Sequence, residues 1–120
     1  MAQSIPPALE QELRKFENLR KQYESFQMTN QTMQQELNEV NATLDELKKQ
    51  PDDVTTYKTV GSVMFEVDKP RLMEDLDDRQ KTLEMRLAST KKKLEKLSTD
   101  LQELQNKIQV ELGKQNLRLQ

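Results

Sequence analysis

The sequence predicts a mainly α fold, two long antiparallel coiled-coil helices joined by one β-hairpin, and three observations predict it. Apolar residues recur every seven positions in two separate runs, Leu9 to Leu47 and Met73 to Glu111, and a strict seven-residue spacing makes helices supercoil left-handedly around a narrow seam. Between the runs, Thr55 to Asp68 is the one stretch that does not read as helix. The 120 residues are 33% hydrophobic and 33% charged, too polar for an ordinary globular core, so the expected shape is elongated. The same apolar periodicity argues against a disordered chain.

At the start of the chain Ser4 is placed to cap a helix whose first turn accepts Pro6 and Pro7, because first-turn amides have no intrahelical partner. With Leu9 at heptad position a, Phe16, Tyr23, Asn30, Leu37 and Leu44 also fall on a, and Leu19, Phe26, Met33, Val40 and Leu47 fall on d. Glu12 is the exception at d, with Leu13 beside it at e. Asn30 reads as a register device, since a polar a-site residue fixes alignment at some cost in stability. Pro51 stops the helix, and Asp52-Asp53 form a polar link. The chain thus divides into an N-terminal helix (1–50), a linker and hairpin (51–69) and a C-terminal helix (70–120).

In the hairpin, Thr55, Thr56, Tyr57, Thr59 and Val60 suit a strand, as do Val63, Phe65 and Val67, and Gly61-Ser62 between them fits a two-residue type II′ turn. Period-two alternation puts Val63, Phe65 and Val67 on one face, with Met64, Glu66 and Asp68 on the other. A lone two-stranded hairpin is marginally stable in water and has unpaired edges, so this one needs partners. Tyr57, Val60, Gly61, Val63, Phe65 and Val67 are the candidate oligomerisation residues.

Asp68 is placed to cap the second helix, with Pro70 in its first turn. Its a sites are Met73, Gln80, Leu87, Leu94, Leu101 and Ile108, and its d sites include Leu76, Leu83, Thr90, Leu97 and Leu104. Gln80 and Thr90 weaken this seam locally. At about 1.5 Å per residue each arm spans roughly 60 Å, which sets Leu47 beside Met73 and Leu9 beside Leu112. The far end gathers Ile5, Leu9, Leu13, Ile108, Val110, Leu112, Leu117 and Leu119, more apolar groups than a two-helix seam covers. Gly113 costs about 1 kcal/mol relative to alanine in a helix interior, so a frayed apolar tip is expected. Scattered surface leucines on an ordinary helix end are the plainer reading of the same residues.

Much chemistry is excluded. The chain has no cysteine and no histidine, hence no disulfide framework, no thiolate and neither the commonest metal ligand nor the commonest general base. Gly61 and Gly113 stand alone, so no phosphate-cradling loop is formed. Glu74, Asp75, Asp77 and Asp78 point in different directions around a helix and read as a solvated face rather than a cation cage. No enzymatic activity, cofactor or metal is expected. Lys91, Lys92, Lys93 and Lys96 lie around the seam among Glu84, Glu95 and Asp100, as a solvated flank does, and the net charge of -2 exerts no pull towards nucleic acid or membrane. There is no secretory pattern and no apolar run near 18 residues, so a cytoplasmic location is expected and the N-x-T triplets at Asn30 and Asn41 read as chance matches.

The segment Tyr57-Lys58-Thr59-Val60-Gly61-Ser62-Val63-Met64, followed by Val67-Asp68-Lys69 and by Leu83-Glu84-Met85-Arg86-Leu87, resembles the β-type subunit of prefoldin, most of all the archaeal β subunit. The resemblance covers essentially the whole chain. It implies a hexamer of two α-type and four β-type subunits, in which the hairpins join into an inter-subunit β-barrel. It also implies ATP-independent capture of unfolded proteins at the coiled-coil tips, here Ile5, Leu9, Leu13, Ile108, Val110, Leu112, Leu117 and Leu119, and delivery to a group II chaperonin. Two other readings compete: a structural coiled-coil spacer that needs no apolar tip, and an RNA-binding helical arm with the lysine cluster as its footprint.

Overall fold

The computed structural model describes residues 5–119, with side chains through residue 115. The element order is α1 (Pro7–Lys48), β1 (Thr56–Val60), β2 (Val63–Val67) and α2 (Lys69–Leu119), the mainly helical, hairpin-linked fold that the heptads predict.

The helix ends follow from local chemistry. The Pro6 carbonyl accepts the first helical bond of α1 from the Glu10 amide at 3.0 Å, so Pro6 takes the capping position; Ser4, the expected cap, lies outside the described residues. At the other end the amides of Lys49 and Gln50 donate three residues back, to the carbonyls of Glu46 and Leu47, at 3.1 Å each. This tightened turn is how helices commonly finish, and Pro51, lacking an N–H, cannot extend it. Asp68 caps α2 as expected: its Oδ2 accepts from the Arg71 amide at 3.3 Å and its carbonyl from the Leu72 amide at 3.1 Å.

One expectation fails. Helix α2 does not break at Gly113 but runs on to Leu119. Gly113 has open space around it, and its cost of about 1 kcal/mol is entropic and local, so the helix former Lys114 and the hydrogen bonds of adjacent turns carry the helix past it.

The chain forms two compact units, one of residues 30–89 and the other of the remaining lengths of both helices. In the first, Leu37, Val40, Leu44 and Leu83 make a buried core, against which Met33, Met73, Leu76 and Leu87 pack. Glu36 of α1 meets Arg79 of α2 while Gln50 meets Lys69, so the helices are antiparallel there. In the second, Leu9, Leu104 and Ile108 form the buried core with Phe16 and Leu19 against them. Glu12 meets Lys107 and Phe26 meets Lys93, again antiparallel. Among the predicted a and d positions, Leu9, Leu37, Val40, Leu44, Leu47, Leu83, Thr90, Leu97, Leu104 and Ile108 are buried, and the others are half-buried.

The polar seam residues find different solutions. Gln80, at an a site, donates its side-chain amide N–H to Asn41 Oδ1 at 2.5 Å, which pairs the two amides across the interface. On the outer faces, the hydroxyls of Thr29, Thr43 and Thr99 donate to the carbonyls four residues back, the usual way a threonine is accommodated in a helix.

Candidate functional site

The hairpin is built on its turn. Strands β1 and β2 pair antiparallel in the register Thr56–Val67, Tyr57–Glu66, Lys58–Phe65, Thr59–Met64 and Val60–Val63, leaving Gly61-Ser62 as the loop. Gly61 has φ of 59°, and no described residue other than glycine has a positive φ, so Ser62 is negative. That sign pattern is the one a type II′ turn requires, and its twist matches that of the strands. A Cβ on Gly61 would meet nothing within 4 Å, so glycine is needed here for conformation rather than space. The Thr56 hydroxyl closes the open end by donating to the Val67 carbonyl.

Directly opposed residues share a face, so Val60, Val63, Phe65 and Val67 lie together with Lys58 and Thr56, while Tyr57, Thr59, Met64 and Glu66 lie on the reverse. Tyr57, Val60, Val63, Met64 and Phe65 are all between 51% and 64% exposed. The sheet consists of these two strands alone among the described residues, so the outer edges of both carry unpaired backbone groups, and apolar side chains stand on both faces.

Lys69 fastens the hairpin to the helices, a role the sequence did not disclose. It is buried, and its ammonium donates to the Gln50 carbonyl at 2.8 Å and to Asp52 Oδ1 at 3.3 Å. The cation thus sits on a carbonyl at the end of α1, where the helix dipole favours positive charge. Asp52 is fully exposed, so the carbonyl bond is the stronger of the two. The only available signal was positional: Gln50 and Lys69 lie on opposite sides of the hairpin.

Around the helix termini the structure separates the expected tip residues into two kinds. Leu9 and Ile108 are 3% and 7% exposed, closed into the core with Leu104. Ile5, Leu13, Val110 and Leu112 stay 52%, 36%, 59% and 45% exposed. The side chains of Leu117 and Leu119 lie outside the described residues. Nearby, Glu12 occupies its d site with Oε1 at 3.1 Å from Lys107 Nζ, while Oε2 is buried with no hydrogen-bond partner.

The charged surface is locally paired. Arg20 bridges Glu17 and Glu24 at 2.5 Å each, and the hydrogen bond from Arg20, with its charge, holds the Glu17 carboxyl below the usual carboxylate range; the same bond and the charges of Glu17 and Glu24 raise Arg20. In the lysine cluster, Lys93 stands 5.3 Å from the Phe26 ring centroid, a cation–π contact that ties it to the seam. Of the acidic run, Asp75 pairs with Arg71 at 3.4 Å. Among the described residues no group of three or more Asp or Glu is gathered to hold a metal ion, and no helix is long and apolar enough to cross a membrane.

Comparison with known proteins bears on the same geometry. The profile of the prefoldin subunit family matches residues 10–115. The chain is 37% identical over 110 residues to a prefoldin subunit beta of Thermococcus gammatolerans, covering 92% of this chain and 94% of that one. It is 36% identical over 114 residues to a prefoldin subunit beta of Sulfolobus acidocaldarius, covering 95% and 91%. Among solved structures, the crystal structure of the prefoldin beta subunit from Thermococcus strain KS-1 superposes with a TM-score of 0.80 at 34% identity, covering 92% of this chain and 97% of that one. Sequence and backbone agree on the family and on the branch within it: the chain belongs to the prefoldin subunits, among those of the beta type.

Proposed function

We propose that the chain is one subunit of a cytoplasmic, non-enzymatic, ATP-independent holdase: four copies join two α-type subunits in a hexamer, unfolded proteins are captured at the helix termini, and the captured chains pass to a group II chaperonin. The observation that carries the reading is that Ile5, Leu13, Val110 and Leu112 remain exposed around a core already closed by Leu9, Leu104 and Ile108. A spacer has no use for apolar side chains left over after its seam is closed. Non-directional apolar burial suits a client without fixed shape, and several weak contacts tethered to one assembly raise the effective concentration of the next. The hairpin supports the assembly half of the reading, since closure into a shared barrel pairs its free edges and covers its apolar face.

The test co-expresses the chain with its α-type partner and measures native mass together with suppression of aggregation of a chemically denatured client. Replacing Ile5, Leu13, Val110 and Leu112 by Ser together is expected to keep the six-chain mass while weakening client holding by more than about tenfold. Replacing Val63 and Phe65 by Glu is expected to abolish the six-chain mass, because the barrel interior cannot accommodate unpaired charge. Normal holding by the serine variant would overturn the capture role, and an unchanged mass for the glutamate variant would overturn the assembly role.

A further inference from the structure

The net charge of -2 conceals a division between the two units. Residues 30–89 carry eight Lys and Arg against thirteen Asp and Glu, a net of -5, while residues 1–29 and 90–120 carry eleven against eight, a net of +3. The excess is concentrated on α2, where Lys91, Lys92, Lys93 and Lys96 are all exposed. The local pairing seen elsewhere on the surface stops there. Lys93 stands over the Phe26 ring, and Lys91, Lys92 and Lys96 have no ionic partner among the described residues. Lys92 and Lys96 lie one turn apart on one helix face, where like charges weaken a helix, and Lys91 precedes Glu95 in the order that makes the poorer pair. Helix α1 supplies no relief: its carboxylates between Phe16 and Phe26, Glu17 and Glu24, are both held by Arg20, and Lys21 is a further exposed cation without an ionic partner. Beside the cluster an open groove of about 400 Å³ is lined by Tyr23, Lys91, Leu94, Glu95, Ser98 and Thr99. Tyr23 and Leu94 are half-buried there, so the groove offers apolar surface next to an unpaired ammonium.

We infer that Lys91, Lys92 and Lys96, with the groove beside them, form an electrostatic contact surface that selects unfolded polypeptides of net negative charge. This inference rests on the capture role proposed above and names the class of client. From Lys96 to Val110 is fourteen residues of α2, roughly 21 Å at about 1.5 Å per residue. An extended polypeptide spans that distance with about six residues. A client can therefore set acidic side chains on the lysines while its apolar side chains reach Val110 and Leu112, and each contact raises the effective concentration of the other. Exposed ammonium groups also speed encounter with an oppositely charged chain, an effect that salt screens. A polynucleotide fits this flank less well. Its charges are close and regular, whereas Glu95 and Asp100 interrupt the lysines and the only aromatic rings beside them, Tyr23 and Phe26, are half-buried in the seam. An unfolded polypeptide has sparse carboxylates and can place them on the cations while its neutral residues pass Glu95.

The test uses the assembled complex and one reduced, alkylated polypeptide in two forms, acidic after succinylation of its lysines and basic after amidation of its carboxylates. Association is followed by stopped-flow fluorescence at about 30 mM and about 300 mM salt, between which the screening length falls roughly threefold. The acidic form is expected to associate about tenfold faster than the basic form at the lower salt, with the difference shrinking to about twofold at the higher. The chain's net charge of -2 by itself favours the opposite order. Replacing Lys91, Lys92 and Lys96 together by Gln is expected to slow the acidic form about fivefold at the lower salt, to leave the basic form no slower, and to keep the six-chain mass. Arginine at the same positions is expected to restore the rate. Equal rates for the two forms in the unmodified complex would overturn the inference, as would equal slowing of both by the glutamine variant. An RNA oligonucleotide that binds the unmodified complex more tightly than the acidic polypeptide, and loses that affinity in the glutamine variant, would also overturn it and assign the flank to a polynucleotide. Failure of the capture role is read separately, from normal holding of both forms by the serine variant of Ile5, Leu13, Val110 and Leu112, whose lysines are intact.

Discussion

The two units of this molecule are made from the same heptad pattern and finish it differently. In residues 30–89 the core is aliphatic, Leu83 is wholly buried, and several polar groups pair across it: Gln80 with Asn41, Arg79 with Glu36, Lys69 with Gln50 and Asp52. In the other unit the middle of the α1 seam is aromatic, with Phe16, Tyr23 and Phe26 half-buried, and its Glu12 is left with an unpartnered oxygen. Large rings in a narrow seam keep part of their surface in water, and an unserved carboxylate favours opening. The unit that carries the hairpin thus has polar pairs across its seam, and the other unit has a seam of half-buried rings and one unserved carboxylate oxygen.

The comparison is broken most directly by equal truncations in the two cores. Leu83→Ala is expected to lose about 4 kcal/mol and Leu104→Ala about 2 kcal/mol, because Leu83 is wholly buried while Leu104 borders a groove into which its surroundings can relax. Urea unfolding of the complex at fixed protein concentration measures both, and a larger loss at Leu104 would invert the contrast between the units. A smaller effect sharpens the account of the fastening. Lys69→Met leaves the Gln50 carbonyl without its charged donor, and a loss of about 1.5 kcal/mol, a roughly tenfold rise in exchange across residues 50–56, is expected. Asp52→Asn, which touches the exposed partner, is expected to change almost nothing.

The smallest effect belongs to the exposed charges of the other unit. Glu17 is held below its ordinary range by Arg20, so its contribution to stability is fully present above the unfolded carboxylate pKa and disappears as pH falls through the depressed folded value. Arg20→Gln is expected to return the Glu17 titration upwards toward the ordinary range, followed by NMR of the side-chain carboxyl, with little change in unfolding midpoint because the pair is solvated. An unchanged Glu17 titration would mean that Arg20 is not its partner in solution.

What could be read from the sequence was whatever depends on local period or local conformation. The a and d positions carry the buried groups, Gly61-Ser62 forms the turn, and Asp68 caps α2, because a heptad, a two-residue turn and a cap are each decided within a few residues. Non-local partnerships were not legible. Lys69 reads as one more solvated lysine until the end of α1 is placed beside it. Glu12 was visible as an exception to the pattern, but the burial of one of its oxygens depends on what faces it from α2. Leu9 and Ile108 read both as seam and as tip, and only packing separates them from Val110 and Leu112. Gly113 misled because an intrinsic preference of about 1 kcal/mol is smaller than the cooperativity of a long helix.

The two-residue turn has a consequence for how the gene can vary. Because side chains alternate strictly, a slip of one strand by a single residue with the two-residue loop kept would set Met64 and Glu66 on the face of Val60 and send Val63 and Phe65 to the reverse, without changing the identity of any of them. An added residue at the turn leaves the faces as they are only if the loop itself lengthens and Val60 stays opposite Val63, which gives up the two-residue turn. The hairpin is therefore tolerant of substitution at many positions, while a single insertion forces a choice between its turn and its register.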